Sequence, residues 1–285
     1  MPDLFEQELS AAHLGFSVWA GILFLLGLGA WLHALVHRKW LLAVKGPPPS
    51  WKPPLVDFAL LSISLLLVAA IAGPLLGVEI MRWMPGDPEE PSEWAFLIQS
   101  LSMQGAILLT LLLFFKLQPR TFHTTGGGPS GGALYAAKWA VYGFVLAIPL
   151  VALSNILVVY LFQFFGWEYG LQETVEEIVG MESTLLFLLM PLPVVILAPL
   201  WEEIVFRGGI FRYLQNFLPV FLAVILSALL FAVIHGHPAQ LGGIFILGLI
   251  LTLVYQKSGS LFAPILMHAL FNANTLLGLV FLRLA

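Results

Sequence analysis

Apolar runs close to twenty residues long recur along the whole chain, and no other feature restricts the fold so far. A helix needs ~20 apolar residues to cross the hydrocarbon core of a bilayer. Eight segments reach or approach that length: roughly 14–36, 55–77, 95–116, 139–165, 184–206, 217–235, 241–256 and 261–283. Hydrocarbon offers backbone amides no partners, so each segment is expected as a helix. Composition points the same way. Hydrophobic residues make up 60% of the chain and charged residues 10%, and the mean hydropathy is +0.96. A soluble domain carries about 25% charged residues. The expected fold class is all-α, a polytopic integral membrane protein of about eight transmembrane helices.

The charges alternate from loop to loop. One set holds Arg38, Lys39, Lys45 and Lys52, then Lys116, Arg120 and Lys138, then Arg212, then Lys257. The other set is acidic: Asp3, Glu6 and Glu8, then Glu79, Asp87, Glu89, Glu90 and Glu93, then Glu168, Glu173, Glu176, Glu177 and Glu182. Arg82, and Arg283 near the C-terminus, are the basic residues on the acidic side. Cytoplasmic loops concentrate Lys and Arg, so both termini are expected outside, in a plasma membrane such as a bacterial inner membrane. The acidic leader "MPDLFEQELSAAH" and the length of the first run argue for a retained span rather than a cleaved signal. There is no cysteine, which excludes disulfides, thiolate metal sites and cysteine nucleophiles. With no basic stripe, nucleic acid is not an expected partner.

Two connections read as linkers: the proline-rich "KGPPPSWKPP" (45–54), extended and stiff, and the flexible "TTGGGPSGG" (124–132). They suggest a three-span N-terminal segment, 1–132, and a five-span block, 133–285. The acidic stretch "GWEYGLQETVEEIVG" (166–180) reads equally as a short surface helix or a solvated loop.

Charges inside a span are costly and usually face the protein interior. Three polar clusters in the five-span block need that account. In "APLWEEIVFRGG" (198–209), Glu203 and Arg207 are four apart and share a helix face, so they can neutralise each other. Glu202 is rotated about 100° away and has no partner in its own helix, which suits a proton acceptor. "FAVIHGHP" supplies Phe231, His235 and His237. "HALFN" places His268 and Asn272 four apart on one face of the last span. Taken singly, each has an ordinary account: a span end in the headgroups, an interfacial histidine, an interhelical hydrogen bond worth ~1 kcal/mol. Together they put a carboxylate, two imidazoles and a carboxamide in one block, a set that can activate water and stabilise an oxyanion. Ser183 and Ser227 lack a nucleophile motif, and there is no H-E-x-x-H zinc pair.

At these residues the chain resembles the CPBP intramembrane proteases, the family of CAAX prenyl endopeptidases and bacteriocin-processing enzymes. Glu202, Glu203 and Arg207 match E-E-x-x-x-R; Phe231 and His235 match F-x-x-x-H; His268 and Asn272 match H-x-x-x-N. The glycine-bearing helix and turn "IFILGLILTLVYQKSGSLFAPILMH" also fit, and the matched region is about 184–280. The resemblance implies an intramembrane endopeptidase. In it Glu202 and His235 activate a water, and His268 and Asn272 hold the oxyanion. Glu203, Arg207 and Phe231 support the site. It favours no required cofactor; a divalent metal such as zinc, if used, would sit on Glu202, His235 and His268. The implied substrate is a membrane-bound or lipid-anchored protein, of which a prenylated CAAX protein is one case. The alternatives are a proton-coupled transporter, in which intramembrane Glu and His form a relay, and a non-catalytic scaffold or immunity protein.

The site is expected to open towards the basic, cytoplasmic side. Counted as straight helices from their loops, Glu202 and His268 lie nearer the basic side than His235. They meet only if span 217–235 tilts or "IFRYLQNFLP" (210–219) re-enters the membrane, and re-entry is the prediction.

Overall fold

A computed structural model describes residues 2–37, 50–84, 94–117, 132–168 and 173–284. Nearly all of them are helical: α1 (Pro2–Val36), α2 (Leu55–Arg82), α3 (Trp94–Leu117), α4 (Gly132–Phe165), α5 (Glu173–Gly180), α6 (Thr184–Leu214), α7 (Val220–Ile234), α8 (Leu241–Ser258) and α9 (Phe262–Leu284). A 3₁₀ turn at Pro238–Gln240 leads into α8. Most of the proline-rich and glycine-rich linker residues, and many of the charged loop residues, lie outside the described residues.

The outer surfaces of these helices are as apolar as their contacts. Leu25, Leu112, Leu157 and Leu188 are all exposed, an arrangement water penalises and a bilayer solvates. Among the described residues seven helices are long and apolar enough to cross a membrane. The chain is therefore an integral membrane protein. The eighth expected span is α7, whose 15 residues extend only about 22 Å at 1.5 Å per residue. That is short of a core ~30 Å thick.

Small residues set the helix crossings, as they do where lipid supplies no hydrophobic push between helices. A side chain on Gly27 of α1 would collide with Pro149 of α4, and one on Gly143 of α4 with Val254 of α8 and Met267 of α9. α2 and α3 form a hairpin in which Gly73 and Gly77 leave room for Met103 and Gln99. The acidic stretch at 166–180 does contain a short helix, α5, which buries Ile178 against Leu276 and Leu279 of α9. Ser183, one of the serines set aside as a nucleophile, caps α6 by accepting from the Leu186 amide at 3.3 Å.

α6 differs most from its expected form. It runs eight residues past the expected end at 206 and contains two π-helical stretches, Leu192–Leu197 and Ile204–Phe211. Residues 210–219 form no separate re-entrant loop. They complete α6 and turn tightly, with Gln215 N–H bonded to Phe211 O and Leu218 N–H to Leu214 O. Continuing the helix satisfies each amide within the apolar layer, which a re-entrant loop would not. This extra length removes the depth conflict. Glu202 lies 12 residues, about 18 Å, before the end of α6 at Leu214. His235 lies a similar distance beyond the start of α7, just after its last residue Ile234. Both distances are measured from the same turn, so the two residues come level. α9 joins them at that depth. Leu261, just before α9, packs at Gly208 of α6, six residues past Glu202, and His268 follows seven residues after Leu261.

Candidate active site

The polar residues of α6 face two ways. Glu203 and Arg207 are fully buried, and Arg207 Nη1 donates to Glu203 Oε1 at 2.7 Å. Arg207 Nη2 donates to the backbone carbonyl of Gly248 on α8 at 3.0 Å. Its guanidinium carbon stands 4.5 Å from the ring centre of Phe231 on α7, a cation–π distance. Glu203 Oε1 also accepts from His268 Nδ1 on α9 at 2.9 Å. One ion pair thus connects four helices. Gly248 eases this reach: a Cβ there would lie 3.1 Å from Ala228 on α7, a tight contact that alanine would make only if its neighbour gave way by a few tenths of an ångström.

Glu202 faces the two imidazoles. His235 follows the last turn of α7, and the left-handed Gly236 (φ 67°) ends the helix immediately after it. His235 Nδ1 donates to Phe231 O at 2.6 Å. A carbonyl can only accept, so the proton is on Nδ1 and the Nε2 lone pair is free. Nε2 lies 4.0 Å from Glu202 Oε2. His268 Nδ1–H donates a hydrogen bond to Glu203, which turns Nε2 to within 3.8 Å of the same Glu202 oxygen. Both separations exceed a direct hydrogen bond, which runs to about 3.2 Å. Glu202 Oε2 is buried with no hydrogen-bond partner among the described residues. The Phe231 ring packs on both imidazoles, 4.7 Å from His235 and 5.8 Å from His268 between centroids. His237 lies beyond Gly236 and precedes the 3₁₀ turn.

Asn272 is one turn past His268 on α9, and its side-chain N–H donates to Val194 O of α6 at 2.8 Å. That carbonyl needs an outside donor. In the π register Ala198 N–H reaches back five residues to Pro193 O. The next bond in that register would run from residue 199 to Val194, and Pro199 has no N–H. Asn272 supplies the missing donor. One of its two amide protons is spent there; the carboxamide plane is fixed and the second proton remains.

Oxyanion or metal chemistry depends on donor spacing. Tetrahedral zinc with bonds of 2.0–2.1 Å holds its ligands ~3.3 Å apart, closer than the 3.8 and 4.0 Å between Glu202 Oε2 and the two Nε2 atoms. No group of three His, Cys, Asp or Glu among the described residues is arranged to hold a metal ion.

A chamber of about 560 Å³ lies against Glu202 and His235, between the α2–α3 hairpin and α6–α7. Its walls are almost entirely apolar, Leu65, Ile107, Leu111 and Val205 among them. Ser62, which also lines it, already donates to Phe58 O at 2.8 Å. Trp201 lines the chamber beside Glu202, and its buried indole N–H has no acceptor among the described residues. Leu66 of α2 and Leu230 and Ile234 of α7 line the chamber and are also exposed on the outer surface of the bundle. The sequence reading missed the Gly248 carbonyl, the Pro199–Val194 gap and the wall built by α2 and α3. Pro199 was visible, but the helix register that makes it matter was not.

Residues 184–274 match the family model described as Type II CAAX prenyl endopeptidase Rce1-like. The Bacillus subtilis protein YdiL, whose name marks it as a candidate membrane peptidase, is 24% identical over 170 residues, 59% of this chain and 65% of YdiL. MroQ of Staphylococcus aureus, named as a membrane-embedded CAAX protease, is 30% identical over 144 residues, 48% of this chain and 56% of MroQ. The alignments cover less than two thirds of either relative. No solved structure matches the chain.

Proposed function

We propose that this chain, whose residues 184–274 match the Rce1-like CAAX prenyl endopeptidase family model, hydrolyses a peptide bond in a membrane-associated protein, using water activated by Glu202. One observation carries the reading: the Nε2 atoms of His235 and His268 both approach the unpartnered Oε2 of Glu202, at 4.0 and 3.8 Å. Those separations suit one water that donates to Glu202 and His235 and lies within reach of His268.

The chemistry follows from the protonation pattern. Glu202 takes a proton from the water while His235 Nε2 accepts from its other hydrogen and orients it. The water oxygen bonds to the scissile carbonyl carbon, and the carbonyl oxygen becomes an oxyanion. In this reading the second N–H of Asn272, whose carboxamide is held by Val194 O, takes that charge. His268 donates to the oxyanion only as imidazolium, since its Nδ1 proton is committed to Glu203. Collapse of the intermediate breaks the C–N bond. Glu202 returns its proton to the leaving nitrogen, giving a carboxylate and an amine. In this reading no metal is required; Glu202, His235 and His268 would be its ligands if one were used.

The apolar chamber beside Glu202 favours a substrate with a hydrocarbon group next to the scissile bond, such as a lipid anchor. The charge pattern favours placing the basic helix ends, and the substrate's approach, on the cytoplasmic side of a plasma membrane with both termini outside. The test is cleavage of a membrane-anchored peptide library by the protein in liposomes, read by mass spectrometry with and without chelator. Wild type should cleave equally in both conditions and Glu202→Gln should not cleave. Full activity in Glu202→Gln would overturn the reading, and proton flux without cleavage would favour a transporter.

A further inference from the structure

The chamber ends in a residue from outside the matched domain. We propose that Trp51 is its end stop, so that a residue of the N-terminal segment sets how long a hydrocarbon group fits beside Glu202. The inference rests on the proposed reading of the site and adds a specificity-determining residue to it.

Trp51 lines the chamber together with Phe58 and Phe115 and is buried, 5% exposed. It sits at the level of Gly209, where a Cβ would lie 3.7 Å from Trp51 Cζ3. Gly209 is seven residues past Glu202, about 10 Å along α6. The lining of α3 spans Met103 to Phe115, 12 residues or about 18 Å. The chamber is thus an elongated slot with the carboxylate towards one end and an indole at the other. Trp51 is held from both sides of its peptide. Its N–H donates to Arg212 O at 3.3 Å and its carbonyl accepts from Asn216 Nδ2 at 2.6 Å. Its ring meets those of Phe58, Phe114 and Tyr213 at centroid distances of 5.9, 6.4 and 6.5 Å, all edge-on. A side chain fixed this way defines a wall rather than yielding to a ligand.

The chemistry of the walls selects the occupant. An extended peptide in apolar surroundings needs partners for each N–H and C=O, and among the described lining residues the one hydroxyl, Ser62, is already bonded to Phe58 O. A hydrocarbon chain needs none. The unpartnered Trp201 indole N–H, beside Glu202, is placed to take a carbonyl at the polar end. The occupant is therefore an alkyl or alkenyl chain attached next to the scissile bond.

The experiment uses full-length protein in liposomes and reporter peptides that differ only in the length of one straight alkyl chain beside the scissile bond. Wild type should show a sharp upper cut-off in kcat/KM. Trp51→Ala should move that cut-off to longer chains, favouring the first excluded length by about tenfold relative to its own rate on the shortest. Trp51→Phe, which keeps the aromatic packing if the alanine variant does not fold, should move it less. An unchanged cut-off in a folded variant overturns the proposal. A second readout needs no turnover: alkyl probes bearing a terminal diazirine, photolysed and mapped by mass spectrometry. Crosslinks should fall on Trp51, Phe58 and Phe115 at the cut-off length, also in Glu202→Gln. Crosslinks elsewhere refute the end stop, while that map with no cleavage of any peptide refutes the hydrolase reading alone.

Discussion

Two adjacent carboxylates on α6 live in opposite surroundings. Glu203 bonds Arg207 and His268 and, through Arg207, reaches α7 and α8. Each keeps one buried oxygen without a hydrogen bond among the described residues, but that of Glu202 faces two imidazoles and an apolar chamber, and Glu202 shares no ion pair with Arg207. A 100° rotation between neighbours separates the group that fastens four helices from the group free to change its protonation. A buried charge is tolerated when it is paired and bonded. The helices around the site are fastened through Glu203 and Arg207, and none of those bonds runs through Glu202.

Exchanging the roles should break that contrast most visibly. Glu202→Gln is expected to lower the cleavage rate by about 10³-fold, the scale of a lost general base, with little change in melting temperature in detergent. Glu203→Gln should do the reverse in its main effect: removing one partner of a buried pair costs about 3–5 kcal/mol, read as a loss of unfolding free energy. If both variants lose the same stability, the two carboxylates are not distinct. Gly248→Ala should cost about 1–3 kcal/mol through overpacking, because the new Cβ meets Ala228 and moves the carbonyl that holds Arg207. The smallest effect sharpens the comparison at Asn272. Its loss to alanine should cost ~1 kcal/mol, and that penalty should shrink in a Pro199→Ala background, where residue 199 regains an N–H for Val194. The activity loss of Asn272→Ala should persist in the double variant if its second proton serves the oxyanion.

Much of this was legible in the sequence where the physics is local. Apolar length marked the spans, and four-residue spacing put Glu203 opposite Arg207. What escaped depends on partners far apart in the chain or on backbone register. Nothing in "LPVVILAPLWEE" says that its prolines open into π turns, and without that register Pro199 leaves no gap for Asn272 to fill. Apolar length puts the end of this span at about 206; Arg207 beyond it is fully buried instead, bonded to Glu203 and Gly248 O and packed on Phe231. That early end created the depth conflict and the re-entry prediction. Trp51 looked like part of a stiff linker, and its role as a wall depends on Arg212 and Asn216, more than 150 residues away.

The brevity of α7 has a consequence for the bilayer itself. A helix of about 22 Å cannot match ~30 Å of hydrocarbon, and such mismatch is relieved by local thinning of the membrane. Lipid beside α7 should therefore be compressed on the flank where His235 ends the helix, drawing headgroups and their hydration towards the imidazole. Lengthening the acyl chains of the host lipid makes that dimple harder to form.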